Sequence, residues 1–374
     1  MRFIAVATLI IAAGYAYVAS RLADRTWEWL ALALPFFLVW VVPAYYWSSD
    51  REDEGFFEQL VHQASYLSMA WVSFALVLTL ARDALLLLTA WPPALAGVHA
   101  MVTTAGVPVV VVGSFVALAV GALAAYRGPR VKGVDVPVDG LHEDLEGFRI
   151  VQISDLHVGR GFGARYVRRV VDLARTLSPD LVTLTGDMVD GPVERLADDV
   201  EPLRALAQDG RAFFILGNHD CYSGATAWSA HFRALGMRVL LNEHAIVSKG
   251  MARIVVAGVL DPAIAMTQPG AGPRPDVAMK GAGAAAFRLL LAHNPKIAPL
   301  GERAGFDLQL SGHTHAGQFF PWTIAVRLVH APHVAGLSRE GRMWVYVSAG
   351  TGSWGPPVRL GTTLELTLIR LVRA

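Results

Sequence analysis

The chain of 374 residues is rich in apolar side chains and nearly neutral, with 54% hydrophobic residues, 17% charged residues and a formal net charge of +1. Proteins that track nucleic acids need a concentrated basic surface, so this balance predicts no nucleic-acid partner. The single cysteine, Cys221, excludes an internal disulfide framework and a multi-cysteine zinc site. The apolar excess lies mainly before residue 127, which predicts a membrane segment followed by a more ordinary domain.

Residues 1–126 contain four apolar stretches, each near the ~20 residues needed to cross a bilayer. They cover residues 3–20, 27–47, 63–81 with a shorter run at 84–91, and 107–126. The first stretch also fits a signal peptide, but we favour a retained helix because further apolar spans follow. Arg82 and Asp83 separate two apolar runs, and we expect them in a loop at the interface rather than as an intramembrane pair. Four crossings of the inner (cytoplasmic) membrane are predicted, and the loop lysines and arginines favour a cytoplasmic C-terminal domain.

Residues 127–147 form a polar linker with one predicted strand at 134–138. From 148 to 374, short apolar strands alternate with amphipathic helices. We predict strands at 148–153, 181–184, 213–216, 254–259, 287–291 and 308–310, helices at 166–177 and 202–208, and a long loop at 262–283. This alternation predicts an α/β layered domain with its site at the strand ends.

Polar side chains follow five of these predicted strands directly. The seven candidate metal ligands are Asp155, His157, Asp187, Asn218, His293, His313 and His315. Carboxylate, amide and imidazole donors without thiolates suit Mn, Fe or Zn, and we favour manganese. Seven donors are too many for one ion with an open position; they suit two divalent ions roughly 3.5–4 Å apart that share a carboxylate and activate a bridging hydroxide.

Two further residues lie between the predicted ligands and carry predicted catalytic roles. His219 is placed to protonate the leaving oxygen, and Asp220 to fix its tautomer and raise its basicity. Asp190 has two open interpretations, as a partner of a ligand or as a turn carboxylate.

The ordered series Asp155-x-His157, Gly186-Asp187, Gly217-Asn-His-Asp220, His293 and Gly312-His-Thr-His315 resembles the calcineurin-like metallophosphoesterase superfamily. The resemblance covers residues 134–374. Residues 311–318 and 347–352 narrow it to the bacterial membrane-associated branch that includes the YaeI-like and YkuE-like phosphoesterases.

This resemblance implies a four-layer α/β/β/α sandwich that carries a dinuclear site. By motif position, one metal would take Asp155, His157 and His315. The other would take Asn218, His293 and His313, with Asp187 as the bridge; His219 matches the leaving-group acid of the family. The protein phosphatases of the superfamily carry an arginine after their Gly-Asp motif, whereas Asp190-Gly-Pro192 follows here, so a phosphoprotein substrate is not expected.

The sequence therefore predicts a membrane-bound, dinuclear-metal-dependent phosphoesterase that hydrolyses a phosphodiester or pyrophosphate bond with a metal-bridging hydroxide. Four helices exceed what tethering requires, which favours a lipid-linked substrate. The alternatives are a tethered general or cyclic-nucleotide phosphodiesterase and a non-catalytic membrane scaffold that binds a ligand. The segment 318–329 is either a core strand with a lip or an apolar rim that admits an acyl or isoprenoid chain.

Overall fold

The computed structural model describes residues 2–41, 56–159 and 161–374. The chain divides into two compact units. The first contains Met1–Tyr126 together with two short later segments, Phe319–Pro321 and Gly355–Leu360. The second contains Arg127–Gln318, Trp322–Trp354 and Gly361–Ala374.

The first unit is helical. Its helices are α1 (Arg2–Leu22), α2 (Thr26–Val41), α3 (Phe56–Thr89) and α4 (Ala96–Tyr126). Among the described residues, two helices are long and apolar enough to cross a membrane, at Phe57–Thr89 and Pro93–Tyr126, and a shorter apolar helix covers Thr26–Trp40. Residues 42–47, the end of the second predicted span, lie outside the described residues. Four membrane crossings therefore stay a prediction.

Arg82 and Asp83 lie inside α3, so the expectation of a loop at this point is wrong. The flanking residues are mostly alanine and leucine, which favour a continuous helix. Asp83 is a shared acceptor: its Oδ2 lies 2.8 Å from the Tyr17 hydroxyl and 2.8 Å from Arg21 Nε. Arg82 Nη1 lies 3.2 Å from the other oxygen, Oδ1. Pairing of this kind lowers the cost of carrying charge within an apolar helical unit.

The two short later segments pack inside the helical unit. Phe319 and Val358 are buried with Ala70 and Phe74 in one hydrophobic cluster. The ring centroids of Phe74 and Phe319 are 5.5 Å apart, and the backbone N–H of Arg359 donates to the Gly121 carbonyl at 2.9 Å. These short segments therefore belong to the core of the helical unit.

The second unit contains two six-stranded sheets. The first has the order β1 (Arg130–Val138), β12 (Glu365–Arg373), β2 (Arg149–Ile153), β3 (Leu181–Leu184), β4 (Ala212–Phe214) and β5 (Arg238–Val239). The second has the order β10 (Gly336–Glu340), β11 (Met343–Val347), β9 (Leu308–Ser311), β8 (Phe287–Leu291), β7 (Ala252–Gly258) and β6 (Glu243–Lys249). The strands predicted at 134–138, 148–153, 181–184, 213–216, 254–259, 287–291 and 308–310 are present, with bounds that differ by a few residues.

The helices of the second unit are α5 (Ala164–Thr176), α6 (Val193–Val200), α7 (Asn218–Tyr222), α8 (Ala225–Ala234), α9 (Pro275–Ala278), α10 (Ala298–Arg303) and α11 (Trp322–His330). Three predictions need correction. The predicted long loop at 262–283 contains a 3-10 helix, Pro262–Met266, and the short helix α9. The predicted helix at 202–208 is a 3-10 helix, Glu201–Leu206. The predicted core strand within 318–329 is wrong, because α11 occupies most of that segment; an apolar run of this length does not distinguish a strand from a helix by its pattern alone.

Three hydrophobic clusters hold the second unit together. Val170 of α5 and Trp228 of α8 are buried with residues of the first sheet, including Val151. The second cluster joins the two sheets, and the third packs α10 residues such as Ala298 against the second sheet. Parallel pairing aligns the carboxyl ends of β2 and β3, where Ile153 pairs with Leu184. The chain therefore leaves neighbouring strands at one edge, where the candidate site lies.

A buried hydrogen bond connects the two sheets and generates a prediction. The Tyr346 hydroxyl on β11 donates to Glu365 Oε1 on β12 at 2.7 Å, and both side chains are buried. We expect Glu365→Ala to lower the free energy of unfolding by about 1–3 kcal/mol, because it leaves the hydroxyl without its acceptor. Thermal and denaturant unfolding of the full-length protein in detergent would measure it. The Tyr346→Phe, Glu365→Ala double variant should lose less than the sum of the single losses; strictly additive losses would contradict this coupling.

Candidate dinuclear metal centre

Two motif loops run side by side where β2 and β3 end. The backbone N–H of Asp155 donates to the Gly186 carbonyl at 3.0 Å, and that of His157 donates to the Asp187 carbonyl at 3.1 Å. Val158 continues the pattern with Met188 at 2.8 Å. The hydrogen bonds of the sheet thus extend into the loops, and they fix the relative positions of the first two motifs.

Five of the seven predicted ligands have a positive φ angle. They are Asp155 (52°), His157 (49°), Asp187 (54°), His313 (73°) and His315 (49°). Residues other than glycine seldom adopt this region, at a cost of order 1–3 kcal/mol each, and such residues concentrate at functional sites. The backbone at this edge is therefore held in the strained form that places these side chains together.

Asp155, His157 and His315 form the first cluster, with ligand atoms that all lie within 4.8 Å of one another. The Nε2 atoms of His157 and His315 are 3.0 Å apart, and His315 Nε2 lies 3.5 Å from Asp155 Oδ1. The Asp155 carboxylate accepts from the Ser154 hydroxyl at 2.6 Å and from the His313 backbone N–H at 2.9 Å. One carboxylate and two imidazoles thus converge on one point.

Asp187, His293 and His313 form the second cluster within the same distance. Asn218 joins it, since its Oδ1 lies 2.8 Å from His313 Nδ1. His293 Nδ1 donates to the Thr185 carbonyl at 2.8 Å, which leaves Nε2 toward the cluster. That Nε2 is buried and lies 3.2 Å from Asp187 Oδ2.

Asp187 lies between the two clusters. Its Oδ2 is 3.2 Å from His293 Nε2 and 3.8 Å from His157 Nε2. Its Oδ1 accepts from the His219 backbone N–H at 2.8 Å. One oxygen is therefore fixed by the backbone, and the other faces both clusters, as a bridging carboxylate requires.

Electrostatics at the site favour a bound cation. Burial raises the pKa of Asp155, although His293 lies near it. Burial also acts to lower the pKa of His157, but Asp190 and the other carboxylates outweigh it and raise this pKa to about 9. Burial opposes the charge of Asp187 as well, yet the His293 cation holds its pKa well below the usual range. Protonated imidazoles thus balance buried carboxylates where a metal ion would otherwise do so.

The donor set fits two divalent ions. It combines oxygen and imidazole donors, a buried His293 nitrogen that faces the cluster, and a carboxylate shared between the two clusters. His293 also has an outer partner, the Thr185 carbonyl, which fixes its tautomer in the way common for metal-binding histidines.

Two glycines allow the motifs to approach each other closely. A Cβ on Gly312 would lie 2.1 Å from Asp155 Oδ2 and 2.0 Å from Ser154 Oγ. Gly186 has a φ of +88°, and a Cβ there would lie 2.8 Å from His293 Nδ1. Any side chain at either position would displace a predicted ligand.

Asp190, rather than Asp220, is the partner of His219. Asp190 Oδ1 lies 2.8 Å from His219 Nδ1 and 2.9 Å from His157 Nδ1, so it orients one predicted ligand and the predicted acid together. The prediction that Asp220 fixes the His219 tautomer is therefore wrong.

Asp220 has a different role, in the backbone. Its carboxylate accepts from the backbone N–H groups of Asp187, Met188, Val189 and Gly217 at 2.8–3.2 Å. Asp220 is at the third position of the short helix α7. Its carboxylate binds the backbone of Gly217, just before this helix, and the backbone of the Asp187 loop. It holds these two loops together.

Two residues near the centre were missed in the sequence analysis. Asp261 is buried, and its Oδ2 has no hydrogen-bond partner among the described residues. It follows β7 shortly after its end, so the rule that found the other motifs would have found it. The Trp354 ring lies 5.7 Å from the His219 ring and is 42% exposed. No sequence pattern pointed to this tryptophan.

The double contact of Asp190 generates a prediction. We expect Asp190→Asn to weaken divalent metal binding by about 10–100-fold, because outer partners of metal ligands typically contribute that much. Equilibrium dialysis with Mn²⁺ would measure it. Asp135→Asn, which alters an exposed ion pair with Arg370, is the matched control and should bind as the unaltered protein does. Equal affinity of both variants would contradict the proposed role of Asp190.

Metal binding should also depend on pH. In the metal-free protein the pKa of His157 is raised to about 9, so below that pH an incoming ion must displace its proton. The apparent affinity for Mn²⁺ should therefore rise as the pH increases from 6 toward 9, with release of protons. Calorimetric titration in buffers of different ionisation enthalpy would measure both quantities. An affinity that is constant over this range would contradict the assignment of His157 as a ligand.

Comparison with known proteins agrees with this geometry. Residues 148–317 match the calcineurin-like phosphoesterase family. The chain is 37% identical over 262 residues to the zebrafish (Danio rerio) "transmembrane protein with metallophosphoesterase domain", covering 68% of this chain and 60% of that protein. It is 33% identical over 252 residues to an uncharacterized metallophosphoesterase of Helicobacter pylori, covering 66% of each.

A third relative is the Bacillus subtilis metallophosphoesterase YkuE, 28% identical over 278 residues, with 69% of this chain and 95% of that protein covered. The match to the zebrafish protein spans about 60% of that protein's length.

The motifs, their convergence at one sheet edge and these matches lead to one conclusion: the chain belongs to the calcineurin-like phosphoesterase family.

Proposed function

We propose that this protein is a membrane-bound, dinuclear-metal-dependent phosphoesterase that hydrolyses a phosphodiester or pyrophosphate bond. The observation that carries the proposal is the position of Asp187 Oδ2, which lies 3.2 Å from a nitrogen of one histidine cluster and 3.8 Å from a nitrogen of the other. A pair of ions with a shared carboxylate is the arrangement that serves in-line displacement at phosphorus.

The proposed ion holders are the two clusters. Asp155, His157 and His315 would hold one ion. Asn218, His293 and His313 would hold the other, with Asp187 shared and manganese favoured. When bound, two such ions would lower the pKa of a water molecule and neutralise the charge that develops on the phosphoryl group.

The chain itself would supply the proton for the leaving group. Asp190 Oδ1 engages His219 Nδ1 at 2.8 Å and orients the ring, so Nε2 is the nitrogen that can deliver a proton to the leaving oxygen. The His219 side chain is partly exposed, whereas that of His157 beside it is buried. This difference supports a ligand role for His157 and a substrate-facing role for His219.

Support for membrane attachment comes from the two apolar helices that are long enough to span a bilayer and from the name of the zebrafish relative. We further propose the four-layer α/β/β/α arrangement, since helices and sheets share three successive hydrophobic clusters. The cytoplasmic location of the catalytic unit and four membrane crossings remain proposals from the sequence. A lipid-linked substrate is the class that we favour.

Hydrolysis of bis(p-nitrophenyl) phosphate by the full-length protein in detergent with Mn²⁺ tests the function. We expect His219→Gln to lower kcat by about 10²–10⁴-fold, the usual contribution of a general acid, while metal content stays unchanged. Asp187→Asn should lose both metal and turnover, and Asp135→Asn should lose neither.

The outcomes separate the proposed enzyme from its rivals. Full turnover in the His219→Gln variant would contradict the proposed acid. Normal metal content in the unaltered protein without turnover of this diester, of a cyclic nucleotide or of a pyrophosphate would favour the non-catalytic scaffold instead.

A further inference from the structure

One side of the helix α11 is apolar and exposed. Thr323, Val326 and His330, spaced at i, i+3 and i+7, are partly covered, so this face packs on the second unit. The other side carries four large apolar residues that are 52–82% exposed: Trp322, Ile324, Leu328 and Val329. One basic residue, Arg327, is exposed with them. A short amphipathic helix with aromatic and aliphatic residues on its outer side is typical of helices that lie in a membrane interface.

The chain connects α11 directly to the helical unit. Trp322 follows Phe319–Pro321, the segment that belongs to that unit. Within the unit, the Phe319 ring packs 5.5 Å from Phe74 of α3, a helix that is long and apolar enough to span a bilayer. Consequently α11 begins one residue after a segment that is fixed among candidate membrane helices.

A tryptophan also occurs at one boundary of the other short segment. Trp354 immediately precedes Gly355–Leu360, which also belongs to the helical unit. Tryptophan is enriched where membrane proteins meet the lipid headgroups. Two of the five points at which the chain passes from one unit to the other thus carry an exposed tryptophan, Trp322 or Trp354.

Both features also contact the candidate site. His330, the last residue of α11, has its ring centroid 5.2 Å from that of the predicted ligand His313. Its Nδ1 is buried without a hydrogen-bond partner among the described residues. Trp354 lies 5.7 Å from the ring of His219. The apolar helix and the exposed indole are therefore continuous with the metal centre rather than distant from it.

We propose that α11 lies at the boundary between headgroups and acyl chains of the bilayer, and that the substrate is a phospholipid that reaches the metal centre from this boundary. Ile324, Leu328 and Val329 contact the acyl region, and Arg327 meets lipid phosphates. The phosphodiester or pyrophosphate of the lipid then enters between His219 and His313. The identity of the substrate rests on the proposed function; the placement of the helix does not.

Site-directed spin labelling tests this placement. The full-length protein is reconstituted in nanodiscs of phosphatidylethanolamine and phosphatidylglycerol, with a nitroxide at Ile324→Cys or at Leu328→Cys. Val112→Cys on α4 gives the lipid reference, and Met251→Cys, 87% exposed on the β6–β7 turn, gives the water reference. The native Cys221 is buried, and unaltered protein treated with the label gives the background.

We expect labels at 324 and 328 to show a ratio of oxygen to nickel-chelate accessibility close to that at 112 and several-fold above that at 251. A ratio close to that at 251 would overturn the inference. Spin–spin broadening that disappears on dilution with unlabelled protein would also overturn it, because a second copy of the chain would then cover the helix.

The failure of this inference can be distinguished from failure of the proposed function. The accessibility measurement needs no turnover, so it stands even if the protein hydrolyses nothing. Conversely, Asp187-dependent hydrolysis of bis(p-nitrophenyl) phosphate together with water-exposed labels on α11 would leave the phosphoesterase in place and remove the lipid substrate.

Discussion

The Asp187 carboxylate is the constraint on which the candidate centre depends. Its Oδ1 is fixed by the His219 backbone N–H at 2.8 Å, and its Oδ2 faces His293 and His157. Asp187 can hold this position because its own loop is fastened from two sides. The Asp155 loop hydrogen-bonds along it, and Asp220 accepts three of its backbone N–H groups. The hydrogen bonds to the buried Asp220 carboxylate hold the loop rigidly, and their free energy offsets the strain of the positive φ angles nearby.

The charges around Asp187 explain why rigidity is needed. Asp155 and Asp187 are buried close together, and the repulsion between their carboxylates would move the two loops apart if hydrogen bonds did not hold them. Asp190 adds a second shared carboxylate, since Oδ1 accepts from both His157 and His219. The Asp187 carboxylate therefore lies between the two clusters, and the Asp190 carboxylate lies on the far side of the His157 ring. Asp190 connects His157, a predicted ligand, to His219, the predicted acid.

Much of the fold and the ligand set could be predicted because the signals are local. A buried strand followed by a polar loop is visible in the sequence, and parallel strands bring their carboxyl ends to one edge. The partners of these residues are not local. Asp190 and Asp220 both follow polar motifs, and only the structure shows that Asp190 reaches the His219 ring while Asp220 turns to the backbone. Trp354 reaches the site over more than a hundred residues of chain, and α11 replaces an expected strand because apolar runs are ambiguous.

The central claim is that one carboxylate joins two metal positions, and metal stoichiometry tests it most directly. Full-length protein in detergent would be loaded with Mn²⁺, freed of unbound ions and measured by inductively coupled plasma mass spectrometry against protein concentration. The account predicts two ions per chain, and one or none after Asp187→Asn. One ion per chain in the unaltered protein, or two that persist in Asp187→Asn, would contradict it.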